Sequence, residues 1–289
     1  MKWPVRQSVA PVHRAGQKTF GFWGPHTSSI DWCEDNYVNF PYIAETWNTF
    51  SNIPYMLLGL HGALHTAGLP HRTRLVLLHL GVAAIGVGSF VFHATLNWYA
   101  QVLLDELPMI YVSTLCLYVV LMAGGDTAWK RWAVAPALVL LDVSISVIYF
   151  WYPNPVFHQL AYAFVQVLTT SRSIVLLRRL PPILRKQCTR LLLSGTFIFL
   201  LGFAIWNVDN QFCDALTRYR GHYGDIVGAM TQGHAWWHLL TGIGASRTVV
   251  GTSYLALAVE DPEAYEIVMS MGFLPFVRPR PRVAKQKAQ

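Results

Sequence analysis

The chain is poor in charge. Asp, Glu, Lys and Arg make up only 13% of its 289 residues, while 53% are hydrophobic. A soluble domain carries roughly 25% charged residues, so this deficit excludes an ordinary soluble globule and points to a membrane protein. Acidic residues are scarcer than basic ones, 15 against 22, leaving a formal net charge of +7. Such an excess is often the mark of a nucleic-acid binder. Here the basic residues fall between apolar runs and towards the C-terminus, where topology determinants sit, and nucleic acid is excluded as a partner. Cysteine is sparse too: Cys33, Cys116, Cys188 and Cys213, with no CxxC pair, which argues against a thiolate zinc site. Cys116 lies in an apolar run and reads as a small core residue. The opening MKWPVRQSVAPVHRAG has no apolar core of the kind a cleavable signal needs, so the first membrane helix is expected to direct insertion. No internal repeat is evident.

What the chain does have is long apolar stretches. About 20 residues are needed to cross a bilayer, and seven stretches qualify: approximately 46–67, 75–96, 102–123, 132–150, 156–177, 191–208 and 233–257. Several contain Gly, Ser, Thr, His or Asp, and small or hydroxylated residues suit close packing between membrane helices. An all-α, seven-transmembrane helix bundle is therefore expected. Arg72, Arg74, Lys130, Arg131, Arg178, Arg179, Arg185, Lys186 and Arg190 share one side with the tail residues Arg278, Arg280, Arg282, Lys285 and Lys287. On the other side, the loops near Asn97 and Pro153 have no Lys or Arg, and 209–232 has only Arg218 and Arg220. The positive-inside rule then makes the C-terminus cytosolic and, with seven spans, the N-terminus luminal. Cys33 and Cys213 fall together on the luminal side, where an oxidising compartment would permit a disulfide. The expected organisation is a disordered luminal N-terminus (1–20), a luminal acidic segment (21–45), the bundle (46–258) and a cytosolic tail with a basic end (259–289). Within that tail, DPEAYEIVMSMGFLPF reads either as a short interfacial helix or as unstructured chain.

Ionisable residues inside spans are costly and usually mark function. The second span ends GSFVFHATL, with Ser89 and His93 four apart and so on one helix face. The third opens VLLDELPMIY, with Asp105 and Glu106. The seventh opens GHAWWHLLTG, with His234 and His238 again on one face. The topology brings all three sets to a similar depth near the luminal end. Three histidines with an open fourth position form a catalytic zinc arrangement. Zinc lowers the pKa of a bound water to about 7, Asp105 could take its proton, and Ser89 could stabilise an oxyanion or hold the water. The plainer reading, a hydrogen-bonded core histidine, is kept for His61, His65, His79 and His158. An HxxxH pair alone does not decide between the two; its coincidence in depth with His93, Asp105 and Ser89 favours a site. A pair of haems is another use of membrane histidines, but it would leave the serine and the carboxylate unexplained. Asp142 in LVLLDVSISV and Arg172 in TTSRSIV are further intramembrane charges that could pair or line a cavity. Before the first span, DWCEDNYVNFPYIAE gathers Asp31, Glu34, Asp35, Asn36 and Glu45. These are hard oxygen donors of the kind calcium takes, though not in EF-hand spacing, and a solvated acidic loop is the alternative.

Together the stretches DWCEDNYVNFPYIAETWNTFSN, GSFVFHATL, LLDELPMIY and GHAWWHLLTG resemble the alkaline ceramidase family, particularly its fungal members, over about residues 21–258. The wider superfamily includes the adiponectin and progestin receptors. The resemblance implies a seven-helix enzyme of the endoplasmic reticulum or Golgi membrane. Such an enzyme takes ceramide from the bilayer and hydrolyses its amide to a sphingoid base and a fatty acid. It implies zinc held by His93, His234 and His238, with Asp105 and Ser89 beside the attacking water. It further implies calcium held by Asp31, the Trp32 backbone carbonyl, Glu34, Asn36 and Glu45, and a luminal Cys33–Cys213 disulfide. A seven-helix lipid receptor with little hydrolytic activity is the alternative within the superfamily.

Overall fold

The computed structural model describes residues 18–125 and 127–281. Most of the N-terminal stretch expected to be disordered lies outside these residues, as do Arg282, Lys285 and Lys287 of the tail.

All seven apolar stretches are helical. The first is broken in two, α1 (Thr46–Phe50) and α2 (Asn52–Thr66). Pro54 has no N–H to return to the Phe50 carbonyl, which interrupts a continuous helix there. α3 spans Arg72–Thr95. A π-helical turn, Ala100–Glu106, then runs directly into α4 (Leu107–Met122). α5 (Ala128–Trp151), α6 (Pro155–Leu177) and α7 (Pro182–Gln211) follow. Asn154 caps α6 by accepting from the Val156 N–H, with Pro155 in the first helical position. α8 (Cys213–Tyr223) and α9 (Asp225–Met230) lead to the final long helix, α10 (Gly233–Glu260). The helices overrun the apolar stretches at their polar ends. α7 begins at Pro182, well before the apolar run, because Leu, Arg and Lys are good helix formers.

Among the described residues, five helical segments are long and apolar enough to cross a membrane: Arg72–Thr95, Ala100–Met122, Trp132–Trp151, Pro155–Leu177 and Pro182–Gln211. The chain is thus a multi-pass membrane protein. α2 falls short, at 15 residues. α10 has 28 residues but carries two histidines, Arg247 and many Ser, Thr and Gly. The reason is its position. Neighbouring helices enclose α10 and bury Thr241, Ser246, Thr252 and Ser253, so it has little need of apolar side chains facing hydrocarbon. It packs most extensively on α7. There a Cβ on Gly195 would lie 2.8 Å from the Gly244 carbonyl oxygen, and one on Gly244 would lie 2.7 Å from that of Gly195. Only paired glycines allow this approach. α5 is the converse case: Val139, Leu140, Val143, Val147 and Ile148 all face outward.

Among the described residues, two small β-hairpins depart from the all-α expectation. One pairs β1 (Phe20–Gly21) with β2 (Gly24–Pro25). The other occupies the tail segment expected to be a short helix or unstructured: β3 (Tyr265–Ser270) pairs antiparallel with β4 (Leu274–Pro279). Positive φ at Met271 and Gly272 turns the chain between them. Val277 is buried in the core, and the hairpin rests on α2 and α10.

The segment 27–45 is fastened to the end of α3. A helix leaves its last carbonyls without intrahelical partners, and here they are supplied from upstream. Glu45 N–H donates to His93 O (3.1 Å), Ala44 N–H to Ala94 O (3.0 Å), and Thr27 and Ser28 N–H both to Leu96 O (3.1 Å). This docking sets Glu45 directly against His93.

Candidate active site and metal centre

His93, near the end of α3, meets His234 and His238, in the first two turns of α10. One nitrogen from each lies within 4.8 Å of the others, and all three rings are buried. The rings are aimed from behind. His93 Nδ1 donates to Glu45 Oε2 at 2.5 Å. His238 Nδ1 lies 2.8 Å from Ser51 Oγ, which itself donates to the Asn48 carbonyl. Both Nε2 atoms are then left with lone pairs, as metal-bound imidazoles require. His234 Nε2 lies 3.2 Å from His93 Nε2. Two neutral nitrogens facing each other at that distance need a proton or a cation between them, so the donor set fits a zinc ion. Trp32 stacks on the His234 ring with centroids 4.0 Å apart.

Ser89, one turn before His93, lies 3.3 Å from His238 Nε2 and faces the Asp105 carboxylate. Local sequence explains how Asp105 reaches it. Pro108 has no N–H to return to the preceding turn, so the regular i→i−4 pattern fails and a π-helical turn forms. Gly88 then packs against the Leu104 carbonyl so closely that a Cβ would sit 1.7 Å from its oxygen. That contact draws α3 and the π-helical turn together at the level of Ser89 and Asp105.

The acidic segment lies beside this centre. Asn36 Nδ2 donates to Asp31 Oδ1 at 3.3 Å. Glu34 accepts from the Trp47 and Asn48 N–H groups (2.7 and 2.8 Å), capping α1. Glu45 Oε2 accepts from Asn48 Nδ2 at 3.0 Å as well as from His93. Glu34, Asn36, Glu45 and Trp32 are buried. Burial, reinforced by the Glu45 carboxylate, pushes Glu34 up to about 8. Neighbouring buried carboxylates favour a cation, which suits calcium. The histidine set is the one group of His, Cys, Asp or Glu among the described residues that gathers three donors within 4.8 Å. Cys33 and Cys213 are disulfide-bonded, with Cα atoms 5.4 Å apart. Next to this bond, Arg220 donates to the Cys33 and Thr231 carbonyls and to Asp209 Oδ1 (3.1 Å), which also accepts the Gly233 N–H that opens α10.

Some polar residues have other partners. His158 is a hydrogen-bonded core residue, donating to the Glu106 carbonyl. His65 is exposed and bonds the His61 carbonyl, whereas His79 is buried with no partner for Nδ1 among the described residues. Asp142 accepts from Thr114 Oγ1, and Arg172 donates to the Val120 and Ala123 carbonyls. Ser51, Asn52 and the Trp32 ring were not singled out in the sequence as neighbours of the histidines. The available signal was Asn48, Ser51 and Asn52 at helical spacing in an otherwise apolar stretch.

A multi-pass helical protein that buries three convergent imidazoles beside a carboxylate and a hydroxyl has the equipment of a membrane-embedded hydrolase. The family model described as Ceramidase matches residues 24–278. The chain is 36% identical to mouse (Mus musculus) alkaline ceramidase 3 over 234 residues, covering 81% of this chain and 86% of the relative. It is 31% identical to alkaline ceramidase YPC1 of Saccharomyces cerevisiae over 249 residues, covering 81% and 78%. The alkaline ceramidase of Arabidopsis thaliana is 26% identical over 271 residues, covering 93% and 97%. The chain belongs to the ceramidase family and is a hydrolase of that family.

Proposed function

We propose that the protein hydrolyses the amide of ceramide within the membrane, releasing a sphingoid base and a fatty acid. His93, His234 and His238 hold zinc. Asp105 is the general base, and Ser89 is the polar partner of the reacting oxygen. The convergence of the three imidazoles beside Ser89 and Asp105 carries this reading. Zinc bound there would polarise the amide carbonyl and acidify the attacking water. Asp105 accepts the proton of that water at its carboxylate and passes it to the departing amine nitrogen. Ser89 donates to the oxygen on which negative charge develops. Glu45 and Ser51 keep two rings in the ligating tautomer. A site among helices admits a two-chain lipid from the bilayer and keeps out bulk water, which strengthens these interactions.

In the same reading the chain has seven spans, α1–α2 and α10 joining the five apolar segments, with the N-terminus luminal and the C-terminus cytosolic in the endoplasmic reticulum or Golgi. Asp31, the Trp32 carbonyl, Glu34, Asn36 and Glu45 bind calcium, which fastens segment 21–45 to the bundle and takes no part in the chemistry. The test is lipid mass spectrometry on purified protein incubated with a ceramide panel, with and without a zinc chelator. Product is expected from the wild type and none from His234→Ala. Undiminished turnover in that variant rejects the mechanism, and lipid bound without product over long incubation favours a receptor.

A further inference from the structure

Glu106 follows Asp105 in the chain and has no part in the chemistry above, yet it is held from three directions. Tyr149 Oη of α5 donates to its Oε2 at 2.7 Å, and Gln101 Nε2 donates to its Oε1 at 3.1 Å. His158 Nε2 of α6 donates to its backbone carbonyl at 2.9 Å. Gln101 is itself fixed by Ser29, which donates its N–H to Oε1 (2.8 Å) and accepts from Nε2 at Oγ (2.7 Å). The Tyr149 ring is 1% exposed and packs on Phe157 and His158. All of these bonds converge on the π-helical turn Ala100–Glu106. A π-helical turn is a rare conformation, common at functional sites, and its register decides where each side chain points. Adjacent helical residues project about 100° apart, so with Glu106 drawn towards α5 and α6, Asp105 is left facing Ser89 on α3.

We propose that Glu106 is a positioning residue: its bonds to Tyr149 and Gln101, with His158 on its carbonyl, lock the π-helical turn in the register that aims Asp105 at the histidine centre. The proposal rests on Asp105 acting as the base. A carboxylate suits the role because it accepts from both donors at once, whereas an amide accepts on one side only and requires the Tyr149 hydroxyl to turn round and accept on the other.

The test uses the full-length protein in ceramide-containing micelles, with steady-state kinetics, zinc analysis and hydrogen-exchange mass spectrometry. Tyr149→Phe and Glu106→Gln are each expected to lower kcat about tenfold or more, as small misplacements of catalytic groups do. KM and zinc content stay near wild type, and faster amide exchange is confined to peptides covering 100–106. The double variant is no slower than the slower single one, because both changes cut the same brace. Wild-type kcat in both variants, multiplicative losses in the double variant, or a raised KM at constant kcat overturns the proposal. If Glu106→Gln does not accumulate, Tyr149→Phe alone decides, by the same criteria. Failure of the wild type to release sphingoid base refutes the ceramide reading instead. In that event unchanged exchange over 100–106 in Tyr149→Phe still overturns the brace.

Discussion

His93 is fixed from both ends of its imidazole. Nδ1 is held by Glu45, and Nε2 faces His234. Outer carboxylates of this kind typically contribute 10–100-fold to metal affinity. Glu45→Gln is therefore expected to weaken zinc binding by about that factor, read by chelator competition; unchanged affinity would contradict it. Ser89→Ala should leave zinc content intact and lower kcat by about 10²–10³, the usual effect of deleting an oxyanion donor. Glu34 gives a pH signature. Its carboxyl ionises near 4.5 in an unfolded chain but is pushed up to about 8 in the fold. Between those values the folded state binds more protons, so its contribution to stability is full below 4.5 and is lost as pH rises to about 8. In chelator, the wild-type melting midpoint should therefore fall across that window relative to Glu34→Gln, and calcium should abolish the difference. Residue identities at the histidine centre were legible because helical spacing and topology act on few, costly polar residues. The supports were not: Glu45 reaches His93 across 48 positions and Ser51 reaches His238 across 187, separations that no periodicity encodes.

At the level of elements, the sequence marked where helices lie more faithfully than how they are wound. Apolar length identified all seven stretches, but a π-helical turn and an α-helix share nearly the same apolar pattern, so Ala100–Glu106 was not foreseen. The break at Ser51 and the β3–β4 hairpin were missed for a related reason. A single proline and a six-residue strand leave little trace beside 20-residue runs. Pro108 is the residue whose chemistry forces the unusual winding. Pro108→Ala restores an N–H and should let the turn relax to α-helix, moving Asp105 off Ser89. The expected result is a loss of kcat of about tenfold or more with a melting midpoint at or above that of the wild type; unchanged kcat would separate the winding from activity.

Across the whole molecule, the inside-out distribution of polarity follows from the solvent. α5 turns valine and leucine outward, and α10 keeps serine and threonine within. Low charge content announced this, whereas the enclosure of α10 depends on Gly195 and Gly244 meeting across 49 positions, the difference between their numbers. The Cys33–Cys213 bond spans 180 residues and fastens the acidic segment to the chain entering α10. Replacing both cysteines with serine should cost about 2–4 kcal/mol, read as a lower denaturation midpoint under non-reducing conditions and no further change on adding reductant.

The spacing of the histidines also has a consequence for biosynthesis. His93 and His234 are 141 positions apart, and His234 lies on α10, which is synthesised after α3 through α7. A nascent chain that has already threaded α3 through α7 into the bilayer still lacks two of its three imidazoles. On the proposed reading, metal capture has to await synthesis of α10, and a polypeptide arrested before Gly233 would carry one imidazole of the centre and be chemically inert.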